Sequence, residues 1–544
     1  MVNLGIDFGS TYTMVSVFEN GMPVTVQPNH LTYNYPSVVA YDKRKKKYFF
    51  GVSARDKLGK PGIIGFRGFK MLLNQQMGDI DLKERNYEDI NSPEHITELF
   101  LRHVIDNTLE KLNEDKVGTL VLGAPECWFQ SLETVDARGT LRDICLKMSD
   151  KIEQIKIISE PTNAAAFCVW SYEKQQGADF DGEILIVDYG GGTLDTALVS
   201  VQHIGEKMQI KPEMRSGAGE NKDKEIGKAG IAYQEAVIRK AVCEHFGITP
   251  DKIEYNSDFD TAVKSLEDML VSDKQFVDET FGDYAANPED LVEEEFTVIR
   301  YDNEEVEINF GQMRQAYIET IYPILKKVLD ESVRDLPETR MIHVALVGGF
   351  CNFYLVKEQI YDYFNIGGLN AHIKNVLQKE EDREKAIAHG AALLSDNVME
   401  VCNVAKFGIG MYIHFGDSNE IFMKYAINYG QEYIPDKIYF AKDDDGRVAP
   451  MLLVQLDNFL LNFNKDESKG FPVHPKEEFA ARLNCVSHNP IVVVGFSIDP
   501  AEKITVHVYN YNMDSDNPGP GDVPVTSIKL STLKNSFKNT IILK

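Results

Sequence analysis

Two stretches decide how this 544-residue chain folds: VNLGIDFGST at residues 2–11 and EILIVDYGGGT at residues 183–193. In each, an apolar run of strand length ends in Asp, an aromatic residue, glycine and a hydroxyl residue, and a second apolar run follows (Met14 to Phe18; Thr196 to Val201). The two copies predict two homologous half-domains facing one another across a cleft. A strand, a glycine-tipped turn and a returning strand let several backbone N–H groups point at one anion, because glycine alone permits the close approach. Ser10, Thr11 and Thr193 add hydroxyl donors. Two such loops are suited to grip the β- and γ-phosphates of a nucleotide from both sides. Asp7 and Asp188 are repelled by phosphate, but they are suited to hold the waters of a Mg²⁺, which keeps part of its hydration shell. The Walker pattern G-x-x-x-x-G-K-[ST] does not occur in the chain.

Outward from these loops, short apolar runs alternate with helical stretches over the first 395 residues, the pattern of α/β domains. Leu120 to Leu122, Ile155 to Ile158 and Ile342 to Val347 are further strands of this kind. Phe310 to Val333 carries apolar residues at three- and four-residue spacing and reads as a helix that Pro323 kinks or breaks. From about Lys406 the texture changes to alternating strands: Gly410 to Phe415, Ile421 to Ile427, Lys437 to Phe440, Met451 to Leu456, Ile491 to Ile498, Ile504 to Tyr509 and Val525 to Leu530. The expected fold class is therefore α/β, two homologous half-domains followed by an all-β, sandwich-like domain.

Composition narrows the function. The chain has 84 acidic against 57 basic side chains, a formal charge of −27, which disfavours nucleic acid as a partner. No apolar run reaches the ~18–20 residues of a membrane span. The N-terminus has no basic segment or cleavage site of a secretory signal, and the seven cysteines are scattered and odd in number, so a reduced, cytoplasmic setting is expected.

Three further segments complete a pattern. Val347, Gly348, Gly349 and Phe350 end a buried strand, with paired glycines that admit a flat base or ribose. Ser159, Glu160, Pro161 and Thr162 open a helix containing Ala164 to Ala166, and Ala386 to Ala392 is a second small-residue helix suited to pack against it. In this order the five segments resemble the phosphate 1, connect 1, phosphate 2, adenosine and connect 2 motifs of the actin-like ATPase superfamily. Within it the chain most resembles the DnaK-type chaperones, the heat shock protein 70 family. Val121 to Phe129 with Pro125 is similar to the strand ahead of connect 1, Gly68 to Leu72 to the lysine segment, and Phe496 to Val506 to part of the substrate-binding β-domain.

The resemblance implies ATP or ADP with Mg²⁺ as cofactors, and roles for matching residues. Lys70 stands where the catalytic lysine stands, Glu160 where a glutamate orders Mg²⁺ waters, Asp7 and Asp188 at the magnesium-side aspartates, and Thr193 at the γ-phosphate hydroxyl. Gly9, Ser10 (in place of the usual Thr), Thr11, Tyr12, Gly190, Gly191 and Gly192 form the phosphate loops; Gly227, Lys264, Gly348, Gly349 and Phe350 complete the expected nucleotide site. Lys264 is the candidate cation over the base. The resemblance also implies domains: an ATPase over 1–395 (lobe I about 1–182 plus 367–395, lobe II about 183–366), a linker at 396–405 and a β-rich substrate-binding-like domain over 406–544.

Departures carry information too. The family follows its paired glycines with Ser-x-Arg, whereas here stand Phe350, Cys351 and Asn352, so Phe350 becomes the candidate for stacking on the base. The acidic Leu-Gly-Gly-Glu-Asp loop is Ile226 to Gly230, the leucine-rich linker has only a faint echo in Ser395 to Val404, and no helical lid follows the β-domain before Lys544. The implied function is an ATP-hydrolysing chaperone-like protein coupling nucleotide state to extended polypeptide clients, with J-domain and exchange-factor partners in question. A nucleotide-gated module binding one dedicated protein is the alternative, and a metabolite kinase a more distant one. Four other signals read as ordinary structure: Lys43 to Lys47 as a solvated hairpin tip, Asp514 to Gly519 as a surface loop despite its calcium-loop opening, Asp278 to Glu295 as a solvated acidic insertion, and His389 as a core or interface histidine.

Overall fold

The computed structural model describes residues 1–29, 32–74, 82, 87, 91–130, 137–180, 182–204, 207–219, 227–254, 256–334, 342–365, 373–375, 379–405, 407–414, 421–443, 446–453, 456, 459–462, 466–474, 476–477, 482, 489–499, 503–512 and 519–529. Ile226 and most of the Asp514 loop lie outside them. The chain divides into two compact units, Met1–Trp128 with Thr140–Glu400, and Phe129–Gly139 with Val401–Lys544.

The first unit is mixed α/β, as the sequence implied, and its two largest sheets repeat one topology. Strands β1 (Val2–Phe8), β2 (Tyr12–Glu19), β3 (Met22–Thr25), β4 (Val117–Ala124) and β5 (Ile152–Ser159) form a sheet in the order β3-β2-β1-β4-β5. Strands β6 (Gly182–Tyr189), β7 (Leu194–Ile204), β8 (Lys207–Ala218), β9 (Ile342–Val347) and β10 (Ile373–Asn375) run in the matching order β8-β7-β6-β9-β10. In both, the loop-bearing strand is antiparallel to the next strand and parallel to a later one. The central strands are buried on both faces, which is why they read as continuous apolar runs; Ile184 to Val187 have no exposed surface.

Helices α1 (Glu160–Gln176), α2 (Gly230–Phe246), α3 (Ser257–Ser272), α4 (Lys274–Asp283), α5 (Phe310–Thr320), α6 (Tyr322–Val333) and α7 (Glu380–Ser395) complete what positions the site. The expected break at Pro323 falls between α5 and α6, with the proline in the first turn of α6, where its missing N–H costs no hydrogen bond. Gly177 ends α1 in the left-handed conformation. The two small-residue helices cross at backbone contact: a Cβ on Gly390 of α7 would lie 1.6 Å from the Asn163 carbonyl oxygen of α1. Gly5 of β1 is equally close to α7, its Cβ falling 2.2 Å from the Ala392 nitrogen.

The basic run is the turn between antiparallel strands Val38–Asp42 and Lys47–Phe50, held by Asp42 Oδ1 accepting from the Arg44 and Lys45 amides. The acidic insertion is helical in α4 and in a 3₁₀ segment at Pro288–Glu293. His389 is a core histidine whose Nε2 lies 2.9 Å from Thr25 Oγ1. Among the described residues no helix is long and apolar enough to cross a membrane.

The second unit is a β-sandwich. One sheet contains Gly408–His414, Ile421–Ile427, Phe459–Asn462 and Phe471–Val473; the other is centred on Ile491–Ile498 and Ile504–Asn512. Ile409, Phe459, Leu461, Val492, Val494, Phe496 and Val508 fill the space between them. Among the described residues, expected strands are reduced to Tyr439–Phe440 and Met451–Leu452, Val525 falls outside Thr526–Lys529, and Phe459–Asn462, Phe471–Val473 and the two-residue Gly519–Pro520 are strands the sequence did not announce. Phe459–Asn462 is buried throughout, three apolar residues in a row before Asn462 rather than an alternation, and Pro472 interrupts Phe471–Val473, so neither shows the period-two signal.

Candidate active site

Gly9 to Thr11 join β1 to β2, and Gly190 to Thr193 join β6 to β7, so the repeated topology delivers two like loops to one cleft. They meet directly. A Cβ on Gly191 would lie 2.1 Å from Thr11 Oγ1, and one on Gly192 2.4 Å from Ser10 Oγ. No larger residue fits either position without driving the loops apart. The carbonyls of the second loop are occupied from behind: the Lys228 amide donates to Gly192 O at 2.8 Å and the Ile231 amide to Gly191 O at 2.8 Å. Gly227 belongs to this backing, its would-be Cβ 2.3 Å from Gly192 O at a φ of +73°.

Beneath the loops lies a compact charged group. Lys70 follows Gly68, which turns the chain at φ +63° after the strand Ile63–Arg67. Its side chain is 2% exposed and forms an ion pair with Glu160, the first residue of α1. Asp7 ends β1, and Asp188 in β6 stands directly across from Asp195 in β7. Burial disfavours the Lys70 ammonium, but Glu160 and Asp7 outweigh it and hold its pKa above the ordinary value. Burial, then Glu160, push Asp7 up to about 7 and Asp195 up to about 8. Asp188 is raised well above the carboxylate range by burial and by Glu160, Asp195 and Asp7. Asp188 Oδ2 and Asp195 Oδ2 are buried and have no hydrogen-bond partner among the described residues. Four carboxylates around one ammonium, two of them with an idle oxygen, are spaced for the water shell of a hard dication such as Mg²⁺ rather than for shared direct ligation.

These groups open into a cavity of ≈ 670 Å³, a size usual for small-molecule sites. Asp7, Gly9, Ser10, Thr11, Tyr12, Lys70, Glu160, Asp188, Gly190, Gly191, Gly192, Thr193, Lys264, Gly348, Gly349 and Phe350 all line it. Of the residues singled out in the sequence, Gly227 alone stands behind the wall. Beside Asp188, Gly348 turns at φ +83°, where a Cβ would fall 2.6 Å from Tyr189 O and 2.7 Å from Asp188 Oδ1, and Gly349 presents open backbone. Phe350 stacks on Phe353 with 5.6 Å between centroids and meets Tyr189 edge-on at 5.0 Å, so its ring is fixed before any ligand arrives. Asn352, where the family pattern has arginine, is 3% exposed and accepts from Arg383 Nη1 at 3.2 Å.

Contacts across the cleft involve residues that sequence reasoning missed. Tyr12 OH donates to Glu267 at 2.8 Å, and Arg55 donates to Tyr12 OH at 3.2 Å while pairing with Glu267 and Asp268. Arg55 and Glu267 gave no local signal. Asp195 did: it lies two residues past Thr193, and hairpin register sets it opposite Asp188.

A sequence profile of the Hsp70 protein family matches residues 3–407. Over 442 residues, 78% of this chain, it is 22% identical to the chaperone protein HscA homologs of Rickettsia africae and Rickettsia conorii, covering 62% of each. It is 29% identical over 227 residues to the chaperone protein DnaK of Mycoplasma mycoides, which is 41% of this chain and 34% of that protein. The chain thus spans about three fifths of the length of the HscA homologs it matches. With the duplicated sheets and paired loops in place, the profile match identifies the chain as a member of the Hsp70 protein family.

Proposed function

We propose that the protein binds ATP and hydrolyses it, and that nucleotide state governs how its β-domain holds extended apolar polypeptide, as in a chaperone of the Hsp70 type. The observation that carries this reading is the meeting of two glycine loops directly above the buried Lys70–Glu160 pair. Backbone N–H groups of both loops, with the hydroxyls of Ser10, Thr11 and Thr193, bind the phosphate chain. Lys70 balances charge on the γ-phosphoryl group and orients the attacking water. Phosphoryl transfer asks a protein for little beyond such positioning and charge neutralisation. Glu160, Asp7, Asp188 and Asp195 hold the waters of Mg²⁺, which supplies further neutralisation of phosphate charge when bound. The base lies toward Gly348, Gly349 and Phe350, and Lys264, which lines the same cavity, is the candidate cation over it. A cytoplasmic setting and J-domain or exchange-factor partners belong to the same proposal.

The test is single-turnover ATP hydrolysis by the full chain, with Lys70→Ala and Thr193→Ala beside wild type. Each substitution is expected to slow hydrolysis at least about 100-fold, the usual cost of removing one preorganised charge-stabilising group. Absence of hydrolysis in wild type, or variants as fast as wild type, refutes the catalytic reading. A panel of unrelated apolar peptides, with and without ATP, separates a chaperone from a module dedicated to one partner: broad, nucleotide-sensitive binding supports the former.

A further inference from the structure

The Lys70 ammonium is almost wholly withdrawn from water, yet among the described residues its one hydrogen-bonding side chain is Glu160. An ammonium has three N–H donors to satisfy. Lys70 lines the cavity on one side, and two aromatic rings flank it: Lys70 Nζ stands 5.7 Å from the centroid of Phe8 and 6.0 Å from that of Trp128. Both distances are within the range at which a ring face attracts a cation, and tryptophan is the strongest such face, most so where water is excluded. Trp128 is itself 6% exposed. It is brought there by a turn just after Pro125, in which its amide donates to Pro125 O at 3.1 Å. Its indole N–H is buried with no partner among the described residues. A side chain kept only for packing is filled better by leucine or phenylalanine, neither of which carries an unmet donor. The ring face is therefore what the site uses.

We infer that Trp128 is a positioning residue for Lys70, holding its ammonium between two ring faces and Glu160 so that it points at the transferring phosphoryl group. This rests on the reading of Lys70 as the catalytic lysine. The device suits a site crowded with carboxylates, because an aromatic face steadies the cation without adding another negative charge for the nucleotide to meet. It also leaves the ammonium's remaining donors free for phosphate oxygen and water, which a second carboxylate partner would occupy.

The test compares Trp128→Phe with Trp128→Leu in the full chain. In Trp128→Leu, single-turnover hydrolysis is expected to fall about tenfold, the equivalent of 1.4 kcal/mol, with ATP affinity within twofold of wild type. Trp128→Phe, which keeps a ring, is expected to retain at least a third of the wild-type rate. A purely structural role predicts the opposite pattern, with affinity and rate lost together and no rescue by phenylalanine, and that result overturns the inference. Independently of catalysis, trinitrophenylation of Lys70 by trinitrobenzenesulfonate, in which the deprotonated amine displaces sulfite from the ring, followed by mass spectrometry, is expected to be several-fold faster in Trp128→Leu than in wild type; equal rates overturn the inference. If Trp128→Leu does not fold, the chain's second tryptophan is removed instead. Trp170→Phe leaves Trp128 as the single indole, whose emission is expected to shift when Lys70→Met removes the cation beside it; no shift overturns the proposal. Should Lys70→Ala hydrolyse ATP at the wild-type rate, the catalytic reading falls, while labelling and emission still decide whether Trp128 holds the lysine.

Discussion

Replacing Lys70 by methionine separates two roles that one side chain plays. In the folded protein Lys70 is buried and paired with Glu160, which with burial raises the pKa values of Asp7, Asp188 and Asp195, and Asp195 and Asp7 raise that of Asp188 further. Methionine keeps the volume but leaves Glu160 buried without its cation. Breaking a buried pair from one side costs about 3–5 kcal/mol, most of it the penalty of the stranded charge. The double variant Lys70→Met/Glu160→Gln removes the charge along with its partner, so most of that loss, about 2–4 kcal/mol, is expected to return. Hydrolysis is expected to stay at least about 100-fold below wild type in both, because neither regains a cation at the γ-phosphoryl position. The assay pairs the first thermal unfolding transition, measured without Mg²⁺ or nucleotide, with single-turnover hydrolysis. A double variant no more stable than the single one refutes the electrostatic account of the cluster. A double variant that regains activity refutes the placing of Lys70 against phosphate.

Two other expectations follow from the same geometry. Asp7 and Asp195 have folded-state pKa values of about 7 and about 8 against 3.8 for the free carboxyl. Their contribution to stability is therefore complete below pH 4 and is lost as pH rises through 7 to 8; Mg²⁺ needs both deprotonated. Thermal stabilisation by Mg²⁺ is thus expected to grow between pH 6 and pH 8.5, and a pH-independent effect measured by thermal shift would falsify the raised carboxylate values. Arg55→Ala removes the side chain that joins Tyr12, Glu267 and Asp268 across the cleft. Release of a fluorescent ADP analogue is expected to accelerate about three- to tenfold with little change in the hydrolysis step, and unchanged release in stopped flow argues that the bridge does not restrain the cleft.

Much of this was legible because the two loop-bearing units are local in sequence. Strand, turn and returning strand lie within about twenty residues, and burial on both faces writes them as unbroken apolar runs. That locality fixed the duplicated sheets and the candidate phosphate loops together. Asp195 escaped because the reading stopped at Thr193, although hairpin pairing carries its argument two residues further. Arg55 and Asp268 stand 213 positions apart, and no periodicity or motif links residues that only the closed fold brings together. Phe350 was expected at the base on family analogy alone; the structure shows its ring also committed to Phe353 and Tyr189, a packing reason for an aromatic there that has no sequence signal. In the β-domain, Phe459–Asn462 and Phe471–Val473 were missed because three apolar residues in a row and a mid-strand proline leave no alternation to see.

The crossing of α1 and α7 has a mechanical meaning. α1 continues from β5 of the first sheet but packs on β6 and β7 of the second, and α7 comes after the second sheet but packs on β1, β2 and β4 of the first. Each helix is thus an arm that one half lends to the other, and the arms touch where Gly390 leaves no side chain between them and Asn163. A joint of bare backbone resists sliding, since any translation meets main-chain atoms, while it opposes turning very little. The joint lies within one turn of Glu160, the first residue of α1. A single methyl added at position 390 would press on main chain beside the Lys70–Glu160 pair, so the defect in packing and its effect on the charged group would arise together.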